Sequence, residues 1–93
     1  MAPKSILNVG KEIEFLTVRC AVLASDGYTA DWATPGDFSQ KIGQRRFDLV
    51  ILSAVLSAEE KRSIQAMIPA DVRVIDLDRL ILPTELLRLV AES

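Results

Sequence analysis

Histidine is absent from the 93 residues, and cysteine occurs once, as Cys20. Without histidine the chain lacks the side chain that most often acts as a general base near neutral pH and most often binds metals. A single thiol forms no intramolecular disulfide and, by itself, no metal site. Cys20 lies in an apolar helical stretch, where it is predicted to pack as a small hydrophobic residue. These absences argue against an enzyme and predict neither a metal nor a cofactor.

A strong net charge and long apolar segments are also absent. The net charge of −2 provides no long-range attraction to nucleic acid or to an anionic membrane. Residues 1–5 lead into an apolar run of only a few residues, and no segment approaches a signal-peptide core or a membrane span. We therefore expect a cytoplasmic protein without nucleic-acid or membrane partners, folded as one domain over residues 1–93.

The stretch Phe-Asp-Leu-Val-Ile-Leu-Ser at residues 47–53 is the most informative part of the chain. Its centre, residues 49–52, is uniformly apolar and does not alternate with polar residues. This pattern favours a strand that is covered by helices on both faces, in the middle of a parallel sheet.

Other segments alternate between strand and helix patterns. Strands are predicted at residues 5–9, 28–33 and 72–77, and helices at about 11–25, 38–44, 57–68 and 84–91. Asp37 is expected to cap the second helix, and Ser57 with Glu60 forms a capping box for the third. Alternating units with short links predict a parallel sheet with helices on both faces.

The first helix carries apolar residues on two sides. One stripe, predicted to face the sheet, consists of Ile13, Leu16, Cys20, Leu23 and Ala24. A second group lies roughly opposite and is formed by Phe15, Val18 and Val22. Either the last helix partly covers this group through Leu86, Leu87 and Val90, or the group is exposed and mediates self-association or partner binding. Trp32, in the second strand, suits an interface and ordinary edge-strand packing equally well.

In their order and spacing these segments resemble the receiver domain of bacterial response regulators. The matching positions lie in the first strand, first helix, second strand, third strand and last helix: Ile6 to Val9; Leu16, Arg19, Leu23, Gly27 and Tyr28; Ala33 and Gly36; Asp48 to Leu52; Pro83 to Leu87. The resemblance implies a flavodoxin-like, three-layer α/β/α sandwich and a role in phosphorelay signal transduction of the chemotaxis type. One helix–strand unit of that family is missing before the last helix, so we expect four strands in the order 2-1-3-4.

The chain departs from the family at the positions that carry phosphotransfer. The phosphoacceptor aspartate at the end of the third strand corresponds to Ser53, and the acidic Mg²⁺ ligands after the first strand correspond to Gly10 and Lys11, with Glu12 the nearest carboxylate. A serine without an adjacent base is a poor nucleophile, and a lysine does not suit a divalent cation. The resemblance therefore implies a pseudo-receiver that acts by protein–protein interaction.

The carboxyl edge of the predicted sheet can be interpreted in two ways. It gathers Gly10, Lys11, Ser53 and Asp78, where open parallel sheets place their ligands. In one interpretation Lys11 forms a salt bridge with Asp78 and fills the vacated metal site. In the other, Lys11 and neighbouring amides bind a small anion such as phosphate or a nucleotide, and the chain is a ligand-binding module.

Two further expectations concern the fourth strand. Asp76 and Asp78 alternate along it, which favours a strand-end turn and a helix cap over a pair of catalytic acids. The missing helix–strand unit would leave this strand as an uncovered edge. Since exposed edges and apolar helix faces are used in oligomers, we expect protein partners that include a homodimer.

Overall fold

A computed structural model describes residues 4–93. Residues 1–3, which the predicted domain and the N-terminal segment considered above include, lie outside the described residues. Strands and helices alternate along the chain in the following order: β1 (Ser5–Val9), α1 (Ile13–Ser25), β2 (Thr29–Ala33), α2 (Phe38–Gln44), β3 (Leu49–Leu52), α3 (Ala58–Met67), β4 (Arg73–Asp76) and α4 (Pro83–Glu92).

The four strands form one parallel sheet in the order β2-β1-β3-β4. The predicted sheet order and the α/β sandwich are therefore confirmed. Successive side chains of a strand point to opposite faces, and the sheet accordingly separates two apolar cores. Leu7, Val9, Val50 and Leu52 face α2 and α3 on one side. The residues facing α1 and α4 on the other side include Ile6, Leu49 and Ile51.

β3 lies inside the sheet and β4 at its edge. All four residues of β3 are fully buried, as the uninterrupted apolar run predicts. In β4, Arg73, Val74 and Asp76 are exposed and only Ile75 is half-buried. The edge position explains the difference, because β4 has a strand neighbour on one side only.

The apolar stripe of α1 is only partly as predicted. Leu16 and Leu23 are buried, but Ile13 is 52% exposed and Ala24 is also exposed. Cys20 is half-buried, and its Sγ lies 3.5 Å from the amide Nδ2 of Asn8. Burial raises the pKa of the Cys20 thiol, which keeps it in its neutral form. α1 thus meets the sheet along a narrower stripe than the sequence pattern predicts.

The ends of the helices show one wrong prediction. Asp37 stands at the N-cap position of α2, but its side chain caps no backbone N–H and instead accepts a hydrogen bond from the Thr34 hydroxyl at 3.2 Å. The backbone conformation of Asp37 explains this, because it is αR, whereas an N-cap residue whose side chain caps the helix typically has an extended backbone.

The C-terminal end of α4 is capped from a distant part of the chain. The Lys4 ammonium, just before β1, donates to the carbonyl of Val90 in the last turn of α4.

The capping box of α3 is confirmed. The backbone N–H of Glu60 donates to Ser57 Oγ at 3.0 Å, and the Ser57 N–H donates to Glu60 Oε1 at 2.9 Å. Both bonds satisfy donors that the first helical turn leaves without a partner.

We expect Ser57→Ala to lower the free energy of unfolding by about 1 kcal/mol, because it removes the side-chain acceptor of the box. Ser63→Ala is the matched control, since Ser63 is exposed in the middle of the same helix and alanine is the better helix former there. Urea unfolding of the two variants compares them directly. Equal stability of Ser57→Ala and the parent protein would contradict the prediction.

None of the helices formed by residues 4–93 is both long and apolar enough to cross a membrane.

Candidate functional site

The carboxyl ends of β1 and β3 lie side by side, because the two strands are parallel neighbours with Val9 opposite Leu52. The next residues along the chain, Gly10 and Ser53, therefore meet at this edge. Ser53 is only 6% exposed, and its backbone N–H donates to the Val9 carbonyl at 2.9 Å. The predicted juxtaposition of Gly10 and Ser53 is present in the structure.

Gly10 and Ser53 are packed without room for a larger residue at position 10. A Cβ atom on Gly10 would lie 2.6 Å from Ser53 Oγ and 3.1 Å from Leu16 Cδ2. Both distances are shorter than a normal carbon contact. The glycine is thus needed here for close approach of the two strand ends.

The Ser53 hydroxyl has a charged neighbour that the sequence pattern does not reveal as functional. Arg19 of α1 donates from Nη1 to Ser53 Oγ at 2.8 Å. Arg19 is half-buried, and this burial lowers the pKa of its guanidinium. Arginine nevertheless remains charged in proteins. A positively charged guanidinium therefore contacts the residue that follows β3.

Lys11 takes a different partner from the one expected. Its Nζ lies 2.8 Å from Glu60 Oε1, at the start of α3, and within residues 4–93 it makes no salt bridge with Asp78. The predicted Lys11–Asp78 pair is therefore wrong. The Lys11 hydrogen bond is the main cause that lowers the pKa of Glu60. Because that pKa is lowered on folding, the associated stabilisation is present at neutral pH and is lost as the pH falls through it.

Asp76 and Asp78, the two acidic residues at the end of β4, have different surroundings. Asp76, the last residue of β4, forms a 2.6 Å salt bridge with Lys61 of α3. The same ammonium donates to the Leu77 carbonyl at 2.9 Å. Asp78 lies beyond the strand and is exposed. The Asp76 carboxylate is thus held in a salt bridge, and Asp78 lies in a bend, as the turn interpretation expects. The expected helix cap is wrong, because α4 begins after Leu82 and no side chain caps it.

The donor set at this edge does not fit Mg²⁺. Such an ion requires several oxygen ligands, with carboxylates among them. Among residues 4–93, no group of three or more histidine, cysteine, aspartate or glutamate side chains is placed to hold a metal ion. Lys11 and Arg19 instead place two positive charges at the ends of β1 and β3.

A cavity of about 300 Å³ opens beside Gly10 and Ser53, between α1 and the segment that leads into α4. Lys11, Glu12 and Arg19 contribute its charged groups. Its apolar lining is formed by Phe15, Leu16, Val18, Val22, Ala54, Val55, Leu80, Ile81, Pro83 and Leu86.

The second apolar group of α1 is mainly uncovered. Phe15 and Val18 are 60% and 59% exposed, while Val22 is half-buried. The residues of α4 that were expected to cover part of this group instead lie in or against the core beneath the helix, namely Leu86, Leu87 and Val90. Phe15 and Val18 are therefore left open. Trp32 is half-buried on β2 opposite Asn8 and does not line the cavity. The four residues considered for an interaction patch thus lie in two places.

No family model matches the chain, and no curated protein matches it. Among solved structures, it is similar to the chemotaxis protein CheY4 of Vibrio cholerae, with a TM-score of 0.68 and 17% sequence identity over 98% of each chain. An identity this low establishes similarity of fold only. The chain therefore has the parallel, flavodoxin-like α/β fold of a chemotaxis receiver protein.

Proposed function

We propose that this chain is a receiver-like signalling domain that acts through protein–protein contact and does not accept a phosphoryl group. The proposal places it in the cytoplasm of a bacterium, as one folded unit without a metal, a nucleic-acid partner or a membrane partner. Its fold supports the receiver-like role, and the residues at the sheet edge support the loss of phosphotransfer.

The observation that carries the proposal is the Arg19–Ser53 hydrogen bond. It places a guanidinium against the residue at the end of β3, 2.8 Å from its hydroxyl oxygen. Phosphoryl transfer to a side chain requires an activated nucleophile and usually a metal ion that neutralises the phosphate. A cation beside Ser53 neither accepts the hydroxyl proton nor leaves a suitable place for Mg²⁺.

Exposed apolar side chains around the cavity support the interaction role. Phe15, Val18, Leu80 and Leu82 are all more than half exposed, the two leucines at 71%. Large exposed apolar residues grouped on one part of a surface are typical of sites that bind other proteins. We propose that these residues form the surface through which the domain meets its partner or a second copy of itself.

Acetyl phosphate is expected to leave the intact mass of the protein unchanged in the presence of Mg²⁺, because neither the nucleophile nor the metal site is complete. We expect Ser53→Asp to remain unmodified as well, since the new carboxylate would pair with Arg19. A phosphorylatable receiver treated in parallel is the control. A mass increase of one phosphoryl group that is lost in Ser53→Ala would contradict the proposal.

Self-association is expected to depend on the exposed face of α1. In sedimentation velocity at high protein concentration, we expect the parent protein to dimerise and Val18→Glu to shift towards monomer, because a buried unpaired carboxylate opposes association. Gln40→Glu is the matched control, since it adds the same charge to α2 on the other side of the sheet. A parent protein that stays strictly monomeric would remove the homodimer from the proposal.

A further inference from the structure

The cavity beside Ser53 has the size and lining of a small-molecule site. Its volume is about 300 Å³, at the lower end of the range of roughly 300–1,000 Å³ for such sites. Side chains of α1, including Val18 and Val22, form one wall, and Ile81, Pro83 and Leu86 form the other. A few polar groups at one end of an apolar cavity are what orient a bound ligand.

Arg19 supplies the polar end of this cavity and has spare hydrogen-bonding capacity. Its guanidinium carries five N–H donors. Within residues 4–93, one of them, on Nη1, donates to a side chain, that of Ser53. In the same part of the chain, no carboxylate lies within 4.0 Å of the guanidinium. A half-buried cation without a counter-charge gains strongly from an anion that can reach it.

The neighbouring charges favour an anion of a single charge. Lys11 is already paired with Glu60. Among residues 4–93, this leaves Arg19 as the cation that lines the cavity without a carboxylate partner. Glu12 also lines the cavity, and it repels a doubly charged group such as phosphate more strongly than a singly charged carboxylate. The guanidinium fork matches a carboxylate through two parallel hydrogen bonds.

We propose that this cavity binds a small amphiphilic monocarboxylate. The ligand's carboxylate pairs with Arg19 and accepts a hydrogen bond from the Ser53 hydroxyl, whose oxygen is already an acceptor for Arg19. Its hydrocarbon body lies between α1 and the segment that leads into α4, where apolar side chains remove it from water. The site is separate from phosphotransfer and requires no metal.

Titration with octanoate, followed by amide NMR shifts and calorimetry, tests this site. Octanol, octylammonium, acetate and inorganic phosphate are titrated in the same way for comparison. We expect saturable binding of octanoate, roughly tenfold tighter than octanol because of the charge-assisted hydrogen bonds, with shifts at Gly10, Arg19 and Ser53. Acetate lacks the apolar body, phosphate carries too much charge, and octylammonium has the wrong sign. These three probes should bind more weakly still.

Two variants separate the charge from the apolar walls. Arg19→Gln should bind octanoate no better than octanol, whereas Arg62→Gln, which makes the same change at an exposed position of α3, should behave as the parent protein. Val22→Thr keeps the volume of the wall but adds a hydroxyl, and it should weaken octanoate and octanol alike. Circular dichroism confirms that each variant is folded. Absence of saturable octanoate binding, equal affinity for octanol, undiminished binding to Arg19→Gln or preferred binding of phosphate would each overturn the proposal.

Discussion

Replacing Val50 by alanine is expected to lower the free energy of unfolding by about 2–3 kcal/mol, whereas Val74→Ala should cost less than about 1 kcal/mol. The two valines are partners in the register of β3 and β4. Val50 is completely buried, while Val74 is 38% exposed at the edge of the sheet. The same two methyl groups are therefore removed from a closed core in one case and from a half-open surface in the other.

Chemical unfolding of both variants measures this difference, and each serves as the control for the other. Side-chain atoms removed from a packed core leave a cavity that the neighbours fill only partly. The cost of this cavity adds to the lost transfer free energy. Equal costs at the two positions would mean that β4 is covered in solution. A dimer that pairs through β4 would give that result, and the concentration dependence of stability would then identify it.

Replacing Gly10 by alanine is expected to lower the free energy of unfolding by about 1–3 kcal/mol. The new Cβ would lie 2.6 Å from Ser53 Oγ and 3.2 Å from Ser53 Cβ. The serine cannot simply rotate away at no cost, because its hydroxyl is held by Arg19 and its backbone N–H by Val9. One of these contacts must therefore yield.

A double-mutant cycle with Ser53→Gly tests the cause, since glycine removes the two serine atoms that clash with the new Cβ and leaves only the contact with the flexible end of Leu16. We expect Gly10→Ala to cost markedly less in the Ser53→Gly background, with a coupling of about 1 kcal/mol or more. Gly43→Ala is the control, because a Cβ there meets no atom within 4 Å and alanine favours a helix. Additive costs at positions 10 and 53 would show that the strand ends are less tightly packed than described.

The residues at the carboxyl edge of the sheet show which contacts of the candidate site the sequence patterns predict. That Gly10 and Ser53 meet follows from their positions directly after two apolar strands, because parallel neighbours in a sheet end at the same edge. That Lys11 pairs with Glu60 depends on where the first turn of α3 lies relative to the end of β1. The capping box predicts the first turn of α3, but no local pattern relates it to Lys11.

α1 shows a second limit. Apolar residues lie on several of its sides, so the periodicity is weak and allows more than one buried face. Ile13 and Ala24 fit the predicted stripe but are exposed, whereas Arg19, a charged residue, lies half-buried beside Ser53. The sequence contains one indication that Arg19 faces inward: it lies between Leu16 and Leu23, the two buried residues that anchor the helix to the sheet.

By itself, the sequence determined the order of the elements, the four-stranded parallel sheet and the burial of β3. These features depend on local patterns: the apolar run at residues 49–52, the alternation of strands and helices, and the capping box at Ser57. Only the tertiary structure decided which charges meet, which face of α1 is left open, and that Arg19 lines an apolar cavity without a carboxylate partner in the described part of the chain. These features depend on distances between residues far apart in the chain, and such distances are set by how helices rest on the sheet.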